Sequence, residues 1–342
     1  MDLTAILHAA SQQSASDVHL DAALSKIYVR TAGRLQVLKN QRIEPTALQN
    51  WLLAQLDAAQ RALFDAGQQF DFAHFETSLD LRTRVTVYFT QNGLTVAIRL
   101  LRSQAPSLAS LGAPKFLSEV SPFSHGLVLI TGPTGSGKST TLASYLEHIN
   151  QHYPAHIVTL EDPIEYPHVN HQCLFHQMQH GVHFDNYADA LHRNLRQDPD
   201  VIVVGELRDL ASIEMALRAA ETGHLVVATL HSSNAASAIT RLIDVFDDAN
   251  KSFIRQVLAT VLLGVVAQRL VSTHDTAQRV ATFETLIANA AVKNMIKESK
   301  EAQLPNLMQT HAKQGMFTFT QHYQKLLDTG LVVDSMPQWL GQ

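Results

Sequence analysis

The 342 residues include a single cysteine, Cys173, so no disulfide can form within the chain and a reducing compartment suits it. Long apolar runs are missing as well. The longest, residues 257–267, is interrupted by Thr260 and Gly264 and bounded by Arg255 and Arg269. It falls short of the about 20 residues that a membrane span needs and is read as a core helix. Residues 1–11 lack the basic start and apolar stretch of a signal peptide, which argues for the cytosol. Charge is sparse in both signs: 26 Lys and Arg against 31 Asp and Glu leave a net charge of −5. With no basic stripe to oppose that balance, nucleic acid is not an expected partner. No internal repeat or low-complexity tract stands out. The length suits two domains.

What is present begins with Gly132-Pro133-Thr134-Gly135-Ser136-Gly137-Lys138-Ser139-Thr140, which satisfies the phosphate-cradling pattern G-x-x-x-x-G-K-[ST]. An apolar segment at 127–130, short enough for a buried strand, precedes it. Residues 141–152 follow with Leu142, Tyr145, Leu146 and Ile149 on one helical stripe. Strand, glycine loop and helix therefore come in the order the chemistry requires. The glycines let backbone N–H groups turn toward a polyphosphate, and the helix N-terminus adds partial positive charge. Lys138 is expected to reach the β- and γ-phosphates of a nucleoside triphosphate and Ser139 to offer its hydroxyl to Mg²⁺, with Thr140 a structural neighbour.

The pattern changes character along the chain. Residues 1–100 show strand alternation around a helix at 45–64, the composition of a small α+β module. Residues 101–117, with Ser103, Pro106, Ser107 and Ser110, read as a linker, and 118–342 as the nucleotide domain. Strands are expected at 26–30 and 35–38 around a turn at Ala32-Gly33. A hairpin, 81–91 with 94–101, is expected to turn at Asn92-Gly93. That turn pairs Val87 with Ile98 and puts Arg82, Arg84 and Arg99 on the face opposite the core, Arg84 diagonal to Arg99. The face is either solvated or aimed at an anion. In the second domain 156–160, 201–204 and 225–230 are continuous apolar runs, as central parallel strands show. Helices are expected at 211–221, 235–245 and 251–270, completing a doubly wound α/β core.

Acids stand at two of the strand ends. Gly205-Glu206 follows the strand at 201–204, which makes Glu206 the natural Mg²⁺-side carboxylate. Glu161-Asp162-Pro163-Ile164-Glu165 follows the strand at 156–160 and offers three candidates for orienting a water. His224 and His231 bracket the strand at 225–230, so one at most reaches the nucleotide side through that strand; each is either a γ-phosphate sensor or a structural histidine. The run His168, His171, Cys173, His176, His180 and His183 fits no zinc-ligand spacing and reads as hairpin and loop.

These motifs, with Asp198-Pro199-Asp200 before Glu206-Leu207-Arg208-Asp209 and Ala220-Glu221-Thr222-Gly223-His224 through His231, resemble the PilT-like branch of the type II/type IV secretion ATPases. The resemblance runs from Ala15-Ser16-Asp17-Val18-His19-Leu20 to Ala291 through Glu298, and the C-terminal portion looks like YggR-type members. It implies a RecA-like P-loop core behind a PAS-like N-terminal domain. It also implies a cytoplasmic homohexamer, peripheral at the inner membrane, that works on a PilC-like platform protein there to retract a type IV pilus. By the same likeness Glu165 activates water, Glu206 is the Mg²⁺-linked acid, His224 and His231 form the histidine box, and Arg82, Arg84 and Arg99 reach a nucleotide across a boundary. His192, and Phe175-His176-Gln177-Met178, depart from the family pattern. Assembly or secretion relatives remain the alternative, although they often carry a four-cysteine module that this chain cannot form. A regulatory nucleotide-binding module with little turnover is the alternative of another class.

Overall fold

The computed structural model describes residues 3–13, 15–31, 33–39, 41–101, 104–274, 279–332 and 337–340. Ala32 of the expected turn and residues 102–103 of the expected linker lie outside the described residues, as do Met1, Asp2, Ser14, Asn40, 275–278, 333–336 and 341–342. Contacts divide the chain into two compact units between residues 103 and 104.

The N-terminal unit contains α1 (Leu3–Gln12), β1 (Ala15–Asp21), β2 (Lys26–Thr31), β3 (Arg34–Val37), α2 (Pro45–Gln55), α3 (Ala58–Asp65), β4 (Phe70–Glu76), β5 (Leu81–Thr90) and β6 (Gly93–Leu101). Its six strands form an antiparallel sheet in the order β3-β2-β1-β6-β5-β4. Alternation puts Val18, Leu20, Val85, Val87, Val96 and Ile98 on the covered face, in one cluster with Leu7 of α1 and Leu48 and Leu52 of α2.

Two expectations need correction here. The helix expected over 45–64 is two helices, because Asp57 accepts from the Gln60 N–H at 2.8 Å while the Gln60 side chain accepts from the Asp57 N–H, a capping box that starts α3. The hairpin is displaced by one pair: Thr90 opposes Gly93 and Val87 opposes Val96, so the turn residues are Gln91-Asn92 and not Asn92-Gly93. Because every pairing moves by two residues, each side chain keeps its face. Arg84, however, stands directly opposite Arg99 and not diagonal to it.

The C-terminal unit contains α4 (Lys115–Glu119), β7 (Gly126–Thr131), α5 (Lys138–His152), β8 (His156–Glu161), β9 (Leu174–Gln179), α6 (Tyr187–Asn194), β10 (Val201–Val204), α7 (Leu210–Glu221), β11 (Leu225–Leu230), α8 (Ala235–Asp244), α9 (Asp248–Val261), β12 (Leu262–Ser272), β13 (Arg279–Ile287), α10 (Ala290–Lys297), α11 (Leu304–Thr310) and α12 (Phe319–Asp328). Its sheet runs β13-β12-β7-β11-β10-β8-β9, parallel throughout except for the antiparallel edge strand β13. The central strands are buried on both faces. Leu127, Leu129, Ile202, Val204 and Val226 join a cluster with Ile213 of α7, Ile239 of α8 and Leu258 of α9. Val128, Ile130, Val201, Val203 and Val227 join another with Tyr145 and Ile149 of α5. This is the doubly covered, RecA-like core. Among the described residues no helix is long and apolar enough to cross a membrane.

The helix expected over 251–270, and with it the core helix at 257–267, is corrected to α9 followed at once by β12. Leu262 already has extended backbone, and Val265 and Val266 enter the sheet between β7 and β13, where β-branched side chains pack well. The stretch at 168–183, expected as hairpin and loop, contains β9 as a parallel edge strand beside β8.

Candidate nucleotide site

The glycine loop joins the end of β7 to the start of α5, and its shape is set by what lies beneath it. A Cβ on Gly132 would meet the Gln268 carbonyl oxygen of β12 at 2.3 Å, so only glycine permits that approach. Gly137, with φ 89, is the left-handed residue that starts α5. The first N–H groups of α5 lack helical carbonyl partners and point back into the loop, the feature that makes such an end bind anions. Thr141 Oγ1 donates to Gln268 Oε1 at 2.6 Å and fixes the first turn of α5 to β12.

Lys138 is buried, and its Nζ donates to the carbonyls of Gly132 at 2.8 Å and Pro133 at 3.1 Å. Burial lowers its pKa from the ordinary lysine value, while the carboxylates of Glu206 and Glu165 pull in the opposite direction. Two acids on separate segments, one beyond β8 and one beyond β10, thus act on one ammonium group. Of the three acids at and beyond the end of β8, Glu161 is tied by the Thr159 hydroxyl at 2.6 Å and the Gln177 amide at 3.0 Å, and burial pushes its pKa up. Asp162 lies 3.5 Å from Arg208 and 3.8 Å from His180. Glu165 remains the acid of that set whose charge bears on Lys138.

Glu206, just beyond β10, is held from both sides. Arg208 Nε donates to its Oε2 at 2.8 Å, and His231 Nε2 lies 3.4 Å from its Oε1. Burial lowers the pKa of His231, and the charge of Lys138 lowers it further, against the pull of Glu206. Gly205 permits the approach of β10 to β8, since a Cβ there would stand 2.9 Å from the Leu160 oxygen and 3.3 Å from Glu161 Cα.

Lys138, Glu165, Glu206 and His231 therefore belong to one group. His224 does not: it sits at the opposite end of β11, beside Gly126, with Nδ1 3.1 Å from the Ala219 carbonyl. A six-residue strand separates it by roughly 20 Å from the phosphate loop, so within this unit His231 alone of the two reaches the nucleotide side, as expected from their bracketing of that strand. Ser139 is partly exposed in the first turn of α5, and Thr140 Oγ1 is 2.9 Å from the Tyr166 hydroxyl. Ser139 and Glu206 offer hard oxygen donors of the kind Mg²⁺ accepts. Among the described residues no three His, Cys, Asp or Glu side chains gather to hold a metal.

In the N-terminal unit Arg82, Arg84 and Arg99 share one sheet face. Arg84 pairs with Asp71 at 2.6 Å, Arg99 with Asp17 at 3.0 Å, and Arg82 lies over the Phe75 ring at 5.6 Å. Arg208, Gln177 and Gln268 were given no role by sequence reasoning. Arg208 stands two residues after Glu206, a spacing that signals contact only once the chain is known to be irregular there.

The family described as Type II/IV secretion system protein matches residues 1–325. The chain is 42% identical over 330 residues to the uncharacterized protein YggR of Escherichia coli K12, covering 96% of this chain and 99% of that one. It is 38% identical over 334 residues to the type IV pilus retraction ATPase PilT of Pseudomonas aeruginosa, covering 97% and 96%. The crystal structure of the pilus retraction motor PilT with bound ADP superposes with a TM-score of 0.86 at 38% identity, covering 96% of this chain and 94% of that one. A glycine loop over β12, two acids acting on Lys138 and a match along nearly the whole length lead to one assignment: this chain belongs to the type II/IV secretion system protein family, as one of its PilT-like ATPases.

Proposed function

We propose that this chain is a cytoplasmic, homohexameric motor that hydrolyses ATP to retract a type IV pilus, peripheral at the inner membrane through a polytopic PilC-like platform protein. The observation that carries the catalytic part is the glycine loop between β7 and α5, with Lys138 bound to the Gly132 and Pro133 carbonyls and the acids Glu165 and Glu206 on the segments that follow the neighbouring strands β8 and β10. Lys138 and the first N–H groups of α5 bind and orient the phosphates, where they meet the charge that develops on phosphoryl transfer. Glu165 orients the attacking water and receives its proton. His231, neutral beside Glu206, donates or accepts a hydrogen bond where the γ-phosphate ends. Ser139 and Glu206 would hold Mg²⁺, which would neutralise phosphate charge there. The likeness to PilT supports retraction as the direction of movement, and the three-arginine face of the N-terminal unit supports a contribution to a nucleotide bound elsewhere in a ring.

Phosphate release by the purified full chain tests the catalytic reading. Turnover is expected for the wild type and is expected to vanish in Lys138→Ala. A wild type that binds ATP without releasing phosphate would instead establish a regulatory nucleotide-binding module.

A further inference from the structure

Glu165 lies on a segment between β8 and β9 that has neither helix nor strand, yet the segment is fastened on both sides of that residue. Gln177, on the edge strand β9, uses its amide three times. Its Nε2 donates to the Glu161 carboxylate at 3.0 Å and to the Tyr166 carbonyl at 2.9 Å, and its Oε1 accepts from the His168 N–H at 2.8 Å. Gln179, two residues along the same strand face, accepts from the Ile164 N–H at 3.3 Å. The Tyr166 hydroxyl meets Thr140 Oγ1 at 2.9 Å, on the helix that begins with Lys138. The residues before and after Glu165 are thus bound to β9, and the one after it is also bound to α5.

We propose that Gln177 is a positioning residue: through Tyr166, His168 and Glu161 it sets where the Glu165 carboxylate stands relative to the phosphate loop. This rests on the reading of Glu165 as the water-orienting acid. The chemistry of the side chain explains why an amide occupies the position. Glutamate would lose both donors and place a second charge against buried Glu161, and methionine would keep the length while losing donors and acceptor alike. Displacing a reacting group by 1 Å can cost on the order of a hundredfold in rate, so a segment without regular structure needs such fastening.

The test uses the full-length chain and measures phosphate release against ATP concentration, affinity for a fluorescent ADP analogue and Tm. Gln177→Met is expected to lower kcat at least about tenfold while KM and analogue affinity stay within about twofold, the split that misplacement of a group acting only in the transition state produces. Gln177→Glu is expected to fail to rescue kcat. Tyr166→Phe, which removes one hydroxyl, is expected to lower kcat less, again with KM unchanged. An unchanged kcat in Gln177→Met and Tyr166→Phe would overturn the role, as would a rise in KM alone. Should Gln177→Met fail to fold, the kcat and KM of Gln177→Glu decide the matter by the same split. Wild-type turnover with unaffected variants would leave the functional reading standing and remove the positioning role. A wild type without turnover would overturn the functional reading and this role with it.

Discussion

Arg84 and Arg99 stand directly opposite one another in the sheet of the N-terminal unit, two like charges in one cross-strand pair. Such a pair destabilises a sheet unless carboxylates offset it, and here Asp71 and Asp17 flank the two guanidinium groups. The Arg99 side of its pair is open to solvent while Asp17 is 17% exposed, so Asp17→Asn is expected to change stability by about 1 kcal/mol, read as a small shift in Tm. The arginines themselves are expected to matter for turnover. Arg84→Gln and Arg99→Gln are expected to reduce phosphate release while leaving affinity for an ADP analogue intact. Mixing an arginine-deficient subunit with Lys138→Ala is expected to restore part of the activity. Mixed rings that assemble without recovery would contradict action across a subunit boundary.

Glu206 is expected to be indispensable for turnover but not for binding. Glu206→Gln preserves shape and removes the charge, and is expected to lower kcat on the order of a hundredfold, about 2.7 kcal/mol of transition-state stabilisation. His231 beside it is held below the ordinary histidine value of 6.5, first by burial and then by Lys138. It is therefore neutral at pH 7, and kcat/KM, which reports the free enzyme, is expected to stay level from pH 8 to about 6.5 before any acid limb due to His231 begins. An acid limb centred at or above 6.5 that disappears in His231→Gln would show the reverse shift.

His322 gives the fold an acid-sensitive point of its own. Its ring stacks on Phe317, its Nδ1 accepts from the Phe283 N–H at 3.3 Å, and burial lowers its pKa to about 4. The unfolded chain takes up a proton near pH 6.5 and the folded chain does so only near 4, so folded stability falls as pH drops through that window and rises as pH is raised through it. The loss approaches on the order of 3 kcal/mol by pH 4. Urea unfolding midpoints measured between pH 7 and 4 are expected to fall less steeply in His322→Phe than in the wild type.

Gly205→Ala is expected to damage stability and turnover together. The added methyl would press on the Leu160 carbonyl and on Glu161, forcing β10 from β8 where Glu206 begins. Overpacking of this kind costs about 1–3 kcal/mol, which thermal denaturation would register beside a loss of phosphate release.

The strands flanking the site were legible because burial on both faces removes every polar residue from runs such as Val201 to Val204, and because the glycine loop can serve only between a strand and a helix. The α9 to β12 boundary was not legible. No polar or glycine break separates Val261 from Leu262, so one apolar run hides a change from helix to strand, and with it Gln268 under the phosphate loop. The hairpin register escaped because Thr90, whose hydroxyl donates to the Gly93 carbonyl and accepts from the Asn92 N–H, closes the turn one pair earlier than Asn92-Gly93 would suggest. Arg208 and Gln177 act through partners on neighbouring segments of the chain, as far as 46 residues away for Arg208 and Asp162, and no periodicity reports such pairings.

Retraction of a pilus by ATP turnover is the central claim, and counting surface pili on cells that lack this chain tests it most directly. The account predicts hyperpiliated cells without twitching, restored by the wild-type chain but not by Lys138→Ala. Bald cells, or piliated cells that still twitch, would contradict it.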